Sequence, residues 1–176
     1  RSPRLRFLIV GDGTDRGKLE TLTKGCSNMH IAGWRSDMPD LWAAADAGLV
    51  TSRNEGTPSA LVEAMASGKP FVSTNVGGVI DLAAPPTQVD SRVPVIRAGN
   101  GFLTPLEARS MLDCLELLAA EPALALAMGS AGRSFALAHY SEARLQTEIE
   151  SLYTHLLGPV CTATNPQVRP SLEQSA

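Results

Sequence analysis

Four short apolar runs alternate with segments of helical periodicity, and this alternation constrains the fold more than any other feature. The runs lie within residues 5–13, 29–34, 47–52 and 70–78, and each ends in glycine or small polar residues. A continuous apolar run is typical of a strand buried on both faces, as in a parallel sheet. Because parallel strands are joined by crossovers, the sequence predicts an α/β fold with a parallel sheet and helices on both faces.

Residues with special backbone preferences indicate where the helices begin and end. Asp37 and Thr57 are predicted N-caps, and Pro58 suits the first position of the helix that follows. Gly68 is a natural left-handed stop for that helix. Ser141 is the predicted cap of the final helix.

The second half of the sequence is predicted to be mainly helical. Residues 93–96 and 101–105 are weaker strand candidates, whereas residues 106–122 and 141–158 carry apolar side chains at helical spacing. Residues 159–176 are rich in proline and lack periodicity, which predicts a flexible tail after a single domain over residues 1–158.

Composition excludes several functional classes. A net charge of −3 does not favour a nucleic-acid surface, since phosphate binding depends on clustered Lys and Arg. No apolar run approaches the roughly 18 residues that span a bilayer, and the first residues do not have the form of a signal peptide. The cysteines Cys26, Cys114 and Cys161 lack metal-ligand spacing. We therefore expect reduced thiols, no metal and a cytoplasmic location.

Two glutamates lie at the predicted ligand-binding edge. Ligands of parallel α/β sheets bind beyond the carboxyl ends of the strands, where Glu55 follows the third strand and Glu63 lies in the second turn of the next helix. Gly56 permits close backbone approach, and the helix N-terminus suits a phosphate or diphosphate. From spacing alone, an ordinary loop carboxylate and a surface helix residue are favoured over a binding pair, because two glutamates at this spacing are common by chance.

Residues 55–78 carry the order E-G-x-P-x-x-L-x-E-A-M-A-x-G-x-P-x-V-x-T-x-V-G-G. This order resembles the nucleotide-binding C-terminal domain of retaining GT-B glycosyltransferases of family 4 (group 1). The resemblance covers residues 5–157 and is weakest between residues 81 and 100. It implies a Rossmann-like domain that forms one half of a GT-B enzyme.

The resemblance also implies roles for individual residues. Glu55 would be the catalytic-site glutamate that contacts the transferred sugar, and Glu63 would bind the ribose hydroxyls. The remaining implied donor-binding residues, near the sugar, the diphosphate and the base, are Gly56, Thr57, Ser59, Gly11, Gly13, Gly33, Trp34 and Arg35.

The implied reaction transfers a sugar from a UDP-, GDP- or ADP-linked donor, with no cofactor and no metal. The family's first strand–helix unit of this domain and its N-terminal acceptor domain have no counterpart in these residues. We therefore expect the fragment alone to be inactive. Peripheral membrane association of the full-length protein is compatible with the resemblance.

Three other functions use related folds. A nicotinamide-dependent dehydrogenase is disfavoured because Arg16 replaces the third glycine of G-x-G-x-x-G after Gly11 and Gly13. A non-catalytic nucleotide-binding module with this fold stays open, since fold does not determine function. A nucleotide-sugar epimerase is the third alternative.

Overall fold

The computed structural model describes residues 4–89 and 94–158. Its strands are β1 Phe7–Val10, β2 Met29–Gly33, β3 Gly48–Val50, β4 Phe71–Thr74, β5 Gln88–Val89, β6 Ile96–Ala98 and β7 Gly101–Thr104. Its α-helices are α1 Arg16–Thr23, α2 Met38–Ala44, α3 Ser59–Ala66, α4 Ala108–Ala120, α5 Pro122–His139 and α6 Glu142–Leu157. A 3₁₀ helix spans Gly77–Leu82. Residues 1–140 form one compact unit, and a second begins at Ser141.

The larger sheet is parallel at its centre and antiparallel at one edge. Its strand order is β3-β4-β7-β6-β5, in which β3, β4 and β7 run parallel. β6 pairs antiparallel with β7, and β5 pairs antiparallel with β6. β1 and β2 form a separate parallel pair. The predicted α/β class with a parallel sheet is confirmed, and the antiparallel edge is an addition to it.

The two central strands carry helices on both faces. Phe71 and Val72 are adjacent in β4 but belong to two different buried clusters, and the same holds for Phe102 and Leu103 in β7. Successive strand side chains point to opposite faces, so each cluster marks one face of the sheet. The cluster with Phe71 and Leu103 includes residues of α3, whereas the cluster with Val72 and Phe102 includes residues of α4.

The buried side-chain amide of Asn100 joins α3, the 3₁₀ helix and the residues that follow it. The Asn100 side chain is fully buried, donates to the Leu82 carbonyl at 2.8 Å and accepts from the Ala84 amide at 2.9 Å. It also lies 3.0 Å from the Met65 sulfur. Because each polar atom of this amide has a partner, its burial carries little desolvation penalty.

One predicted cap is wrong, and another is at the predicted position but lacks its side-chain hydrogen bond. The N-cap of α3 is Pro58 rather than Thr57, and the helix begins at Ser59. Pro58 has extended backbone angles, and its carbonyl accepts from the Leu61 amide at 3.0 Å. Asp37 is the N-cap of α2 but makes no capping hydrogen bond, because its carboxylate binds the Arg35 guanidinium instead.

Other helix ends lie where the sequence predicts them. Gly68 has a φ of 72° directly after the C-cap of α3, and the Lys69 amide donates to the Ala64 carbonyl at 2.9 Å. Ser141 accepts the Arg144 amide at the start of α6. The predicted tail over residues 159–176 lies outside the described residues. Within the described part of the chain, no helix is long and apolar enough to cross a membrane.

Candidate functional site

The Glu55 loop is packed against the glycine turn that follows β4. The Gly78 amide donates to the Glu55 carbonyl at 3.2 Å. A Cβ on Gly77 would overlap that same carbonyl oxygen, and a Cβ on Gly78 would lie 2.7 Å from the Gly56 carbonyl oxygen. The turns after β3 and β4 therefore approach each other because positions 77 and 78 are glycine. This contact fixes the backbone of Glu55, whose side chain is partly buried.

The start of the Glu55 loop is also fixed by β4. The Thr74 hydroxyl, which is fully buried, donates to the Ser52 carbonyl at 2.6 Å. Gly56 and Thr57 are exposed between this anchor and α3, and Ser59 is exposed in the first turn of the helix. The structure thus presents the loop and the N-terminus of α3 together at the carboxyl edge of the sheet.

Glu63 is exposed on α3, and its carboxylate is held by a residue of α2. The indole Nε1 of Trp42 donates to Oε2 of Glu63 at 3.2 Å. No protein donor to Oε1 of Glu63 occurs among residues 4–89 and 94–158. The carboxylate therefore keeps an oxygen that can accept from a ligand hydroxyl.

Gly11, Gly13 and Gly33 lie together at the ends of β1 and β2. The Gly11 amide donates to the Gly33 carbonyl at 2.8 Å. Gly11 has a φ of 122° and Gly33 a φ of 69°, so both use backbone conformations that disfavour other residues. The Arg16 guanidinium covers Gly33, where a Cβ would lie 2.9 Å from Nη1.

A cavity of about 240 Å³ adjoins this edge and is lined partly by Gly11, Gly13 and Arg16. Ligand sites usually measure roughly 300–1,000 Å³, so this cavity is smaller than a complete donor site. Neither Glu55 nor Glu63 lines it. The candidate residues therefore form two groups, one after β1 and β2 and one after β3 and β4.

Trp34 and Arg35 follow β2 with different degrees of fixation. Trp34 is 73% exposed, so most of its ring is free to contact a ligand. The Arg35 guanidinium binds the Asp37 carboxylate through two nitrogens. Hydrogen bonding to Arg35 holds the pKa of Asp37 below its ordinary value, and the same contact raises the pKa of Arg35. Both groups are thus charged near neutral pH, which suits a polar ligand.

The arrangement suits binding of an anionic, hydroxyl-rich ligand. Carboxylates accept from hydroxyls, exposed backbone near a helix N-terminus accommodates phosphate, and an exposed aromatic ring can stack on a base. The described residues contain no cluster of three or more His, Cys, Asp and Glu that could hold a metal ion.

Trp42 was not among the candidate site residues predicted from the sequence. Trp42 shares a helical face with the apolar Leu41 and Ala45, a pattern that predicts packing of the ring but gives no partner for the N–H group. An indole on an apolar face usually has a hydrogen-bond partner, and that rule is the signal that could have indicated one. The partner itself depends on how two helices approach each other.

Comparison with protein families identifies residues 1–120 as matching the family described as "Glycosyl transferases group 1". EpsD of Bacillus subtilis (strain 168) is 29% identical over 157 residues, which are 86% of this chain and 38% of EpsD. The UDP-Gal:alpha-D-GlcNAc-diphosphoundecaprenol alpha-1,3-galactosyltransferase of Escherichia coli is 34% identical over 76 residues, or 41% of this chain and 20% of that enzyme. The chain thus spans about two fifths or less of these relatives.

Comparison with solved structures agrees on the fold. HepE of Anabaena, crystallised in complex with UDP, has a TM-score of 0.72 and 24% sequence identity. The match covers 88% of this chain and 42% of HepE. Structural neighbours of this chain are GT-B glycosyltransferases, so the predicted half of a GT-B fold is confirmed.

Proposed function

Because this chain belongs to the group 1 glycosyltransferases, we propose that it is the donor-binding domain of a longer, retaining family 4 enzyme. That enzyme transfers a sugar from a nucleotide sugar to an acceptor. The observation that carries this proposal is the fixed pair of glutamates beside the N-terminus of α3. The backbone of Glu55 is held by the glycine turn after β4, and the carboxylate of Glu63 is held by the indole of Trp42.

Each part of this arrangement has a role in donor binding. Glu63 accepts hydrogen bonds from the ribose hydroxyls, and Glu55 contacts the sugar that is transferred. The backbone at Gly56, Thr57 and Ser59 faces the sugar and diphosphate, where the dipole of α3 favours negative charge.

The base lies on the other group of residues. Trp34 and Arg35 contact it, and Gly11, Gly13 and Gly33 line the cleft. The crystal structure of HepE with UDP supports a nucleoside diphosphate as the ligand class. The donor is a UDP-, GDP- or ADP-linked sugar, bound as substrate.

In the full-length cytoplasmic enzyme, transfer proceeds with retention of configuration and without metal or cofactor. The acceptor and the cations that neutralise the leaving diphosphate belong to the N-terminal domain and to the first strand–helix unit. Catalysis of this kind depends on placing the reactants and stabilising the departing charge. The domain over residues 1–158 therefore binds donor but does not turn it over alone. Peripheral association of the full-length enzyme with a membrane would suit a lipid-linked acceptor such as the diphosphoundecaprenol in the name of the Escherichia coli relative.

The test is a titration of the chain with UDP, GDP, ADP and NAD, followed by ligand-observed NMR. We expect one nucleoside diphosphate to bind and NAD to fail. Glu63→Ala should weaken that binding by about 1.5–3 kcal/mol, the usual value of a hydrogen bond to a charged group. The matched control is Glu116→Ala, which removes a glutamate from α4 on the other face of the sheet.

The outcomes separate the alternatives. Equal effects of Glu63→Ala and Glu116→Ala would contradict the ribose assignment. Binding of NAD in preference to all three diphosphates would favour the dehydrogenase. If the diphosphate binds but a full-length enzyme with Glu55→Gln keeps its transfer rate, Glu55 does not contact the reacting sugar.

A further inference from the structure

We propose that Trp42 is a positioning residue for Glu63, which it holds in the orientation that accepts the ribose hydroxyls. The proposal rests on the proposed function for its ligand and on the contact between α2 and α3 for its geometry. Nε1 of Trp42 donates to Oε2 of Glu63 at 3.2 Å, although the two residues are 21 positions apart in the sequence.

The indole is placed by contacts other than the one to Glu63. Cη2 and Cζ3 of Trp42 lie 3.5 and 3.6 Å from the position that a Cβ on Gly48 would occupy, and the Cβ of Ala64 lies 3.0 Å from it. Gly48 is buried in β3. Because position 48 is glycine, the Trp42 ring and α3 can both pack closely against β3.

The end of α2 is fixed as well. The Lys69 ammonium donates to the Ala43 carbonyl at 3.3 Å, and the Ala45 amide closes the last turn on the Leu41 carbonyl at 3.0 Å. Trp42 lies between these contacts. The helix segment that carries the Trp42 indole is therefore held in place by hydrogen bonds on both sides.

A neutral donor has a specific advantage at this position. Arg or Lys would orient the carboxylate but would also compensate its charge, and would compete with ribose for both oxygens. Indole has one N–H and carries no charge, so it occupies one oxygen and leaves the anion available. An exposed glutamate otherwise samples several rotamers, and ordering it before the ligand arrives strengthens binding.

The prediction is a coupled effect on nucleotide affinity. Trp42→Phe should weaken binding of the preferred member of UDP, GDP and ADP by about three- to tenfold, because the Glu63 carboxylate is no longer ordered before the ligand arrives while most ring contacts remain. In a Glu63→Gln background the same change should alter affinity less than twofold. Unfolding in urea should be measured for every variant to detect a loss of folding.

A second replacement separates the N–H group from the ring. Trp42 is replaced by 3-benzothienylalanine, which keeps the bicyclic shape at Gly48 but has sulfur in place of N–H. We expect the same three- to tenfold loss with unchanged stability. Full affinity in this variant would overturn the proposal.

A spectroscopic readout tests the contact without ligand. The chain contains two tryptophans, so a sample labelled with ¹⁵N-tryptophan gives two indole N–H signals, assigned with Trp34→Phe. Glu63→Gln should shift the Trp42 signal more than the Trp34 signal. An unmoved Trp42 signal contradicts the hydrogen bond.

The failures are distinguishable. If none of the three diphosphates binds the parent chain, both the proposed function and this role of Trp42 are wrong. If a diphosphate binds and Trp42→Phe weakens it equally in the Glu63 and Glu63→Gln backgrounds, only the positioning role is wrong, and Trp42 then acts on the fold or on the ligand directly.

Discussion

Two glycines determine how closely the Glu55 loop can approach the turn after β4. Gly77 has a φ of 52°, and the amide of the next residue, Gly78, donates to the Glu55 carbonyl. Any side chain at position 77 would combine a left-handed backbone with an overlap against that carbonyl oxygen. The backbone position of Glu55, the proposed sugar-binding residue, thus depends on the lack of side chains at positions 77 and 78.

Gly77→Ala tests this dependence. Left-handed strain and overlap with the Glu55 backbone together should lower the free energy of unfolding by about 2–4 kcal/mol. Displacement of the Glu55 loop should also weaken nucleotide binding in the folded fraction. Urea unfolding and the nucleotide titration measure the two effects.

Gly25→Ala is the matched control, since Gly25 has a φ of 81° but no atom within 4 Å of the added Cβ. It should lose only the backbone term of about 1–2 kcal/mol and should keep nucleotide affinity. Equal losses in the two variants would show that the contact with Glu55 contributes nothing.

The sequence predicted the positions of these candidate residues better than their contacts. Glu55 and the glycines could be placed at strand ends, and Glu63 in the helix after one of them, because strands in parallel sheets end at one edge. The bond from Trp42 to Glu63 could not be predicted, since it depends on the packing of α2 and α3 over Gly48.

At the level of elements, α5 packs unusually closely on the end of α3. A Cβ on Gly129 would overlap the Gly68 carbonyl oxygen, and the Arg133 guanidinium donates to the Ala66 carbonyl. Gly68 ends α3 in a left-handed conformation and leads into β4. Gly129 therefore allows α5 to lie this close to the turn that leads into β4.

Gly129→Ala should push α5 away from this turn. Overpacking of this kind should cost about 1–3 kcal/mol of stability. Gly132→Ala, one turn later in the same helix, places its Cβ at 3.4 Å from Asn100 and Met65, an ordinary contact. It should be neutral or stabilise by up to about 1 kcal/mol through helix propensity. Thermal and urea unfolding of both variants measure the difference, and similar results for the pair would contradict the close approach.

The predicted elements failed where local signals were ambiguous. Thr57 and Pro58 are both acceptable near a helix start, and the extended backbone of Pro58 moved the start to Ser59. β5 was missed because Gln88–Val89 is too short to show alternation, and the strand predicted over residues 93–96 overlaps β6 only at Ile96. Such short strands form through pairing, β6 with β7 and β5 with β6, rather than through their own propensity.

At the level of the whole molecule, the central strands explain why the fold class was predictable. All four residues of β4 are buried, so this strand appears in the sequence as an uninterrupted run of apolar and small residues. All four residues of β7 are buried as well, but Gly101–Thr104 was only a weaker strand candidate. The order in which the strands pair carries no such local mark. It follows from which surfaces the helices cover, and the antiparallel edge of the sheet could therefore only be observed.

The buried cluster on the α4 face makes global stability sensitive to alkaline pH. Burial, with a smaller contribution from the charge of Asp113, raises the pKa of the Cys114 thiol to about 11 from 9.0. The unfolded chain loses this proton above pH 9, whereas the folded chain keeps it until about pH 11. The stabilisation is thus complete below pH 9 and is lost as pH rises through this window.

Cys114→Ala removes the titrating thiol, so comparison with the parent chain separates its contribution to stability from that of every other titrating group. Between pH 8 and pH 10.5 the parent chain should lose about 1–2 kcal/mol of unfolding free energy more than the variant. Urea unfolding at the two pH values gives the difference, with the reducing agent held constant. The cavity that the substitution leaves should contribute the same cost at both pH values, because a cavity does not titrate. Parallel losses in the two proteins would mean that the Cys114 thiol ionises as readily in the folded state as in the unfolded chain, and that the apolar cluster around it is open to water.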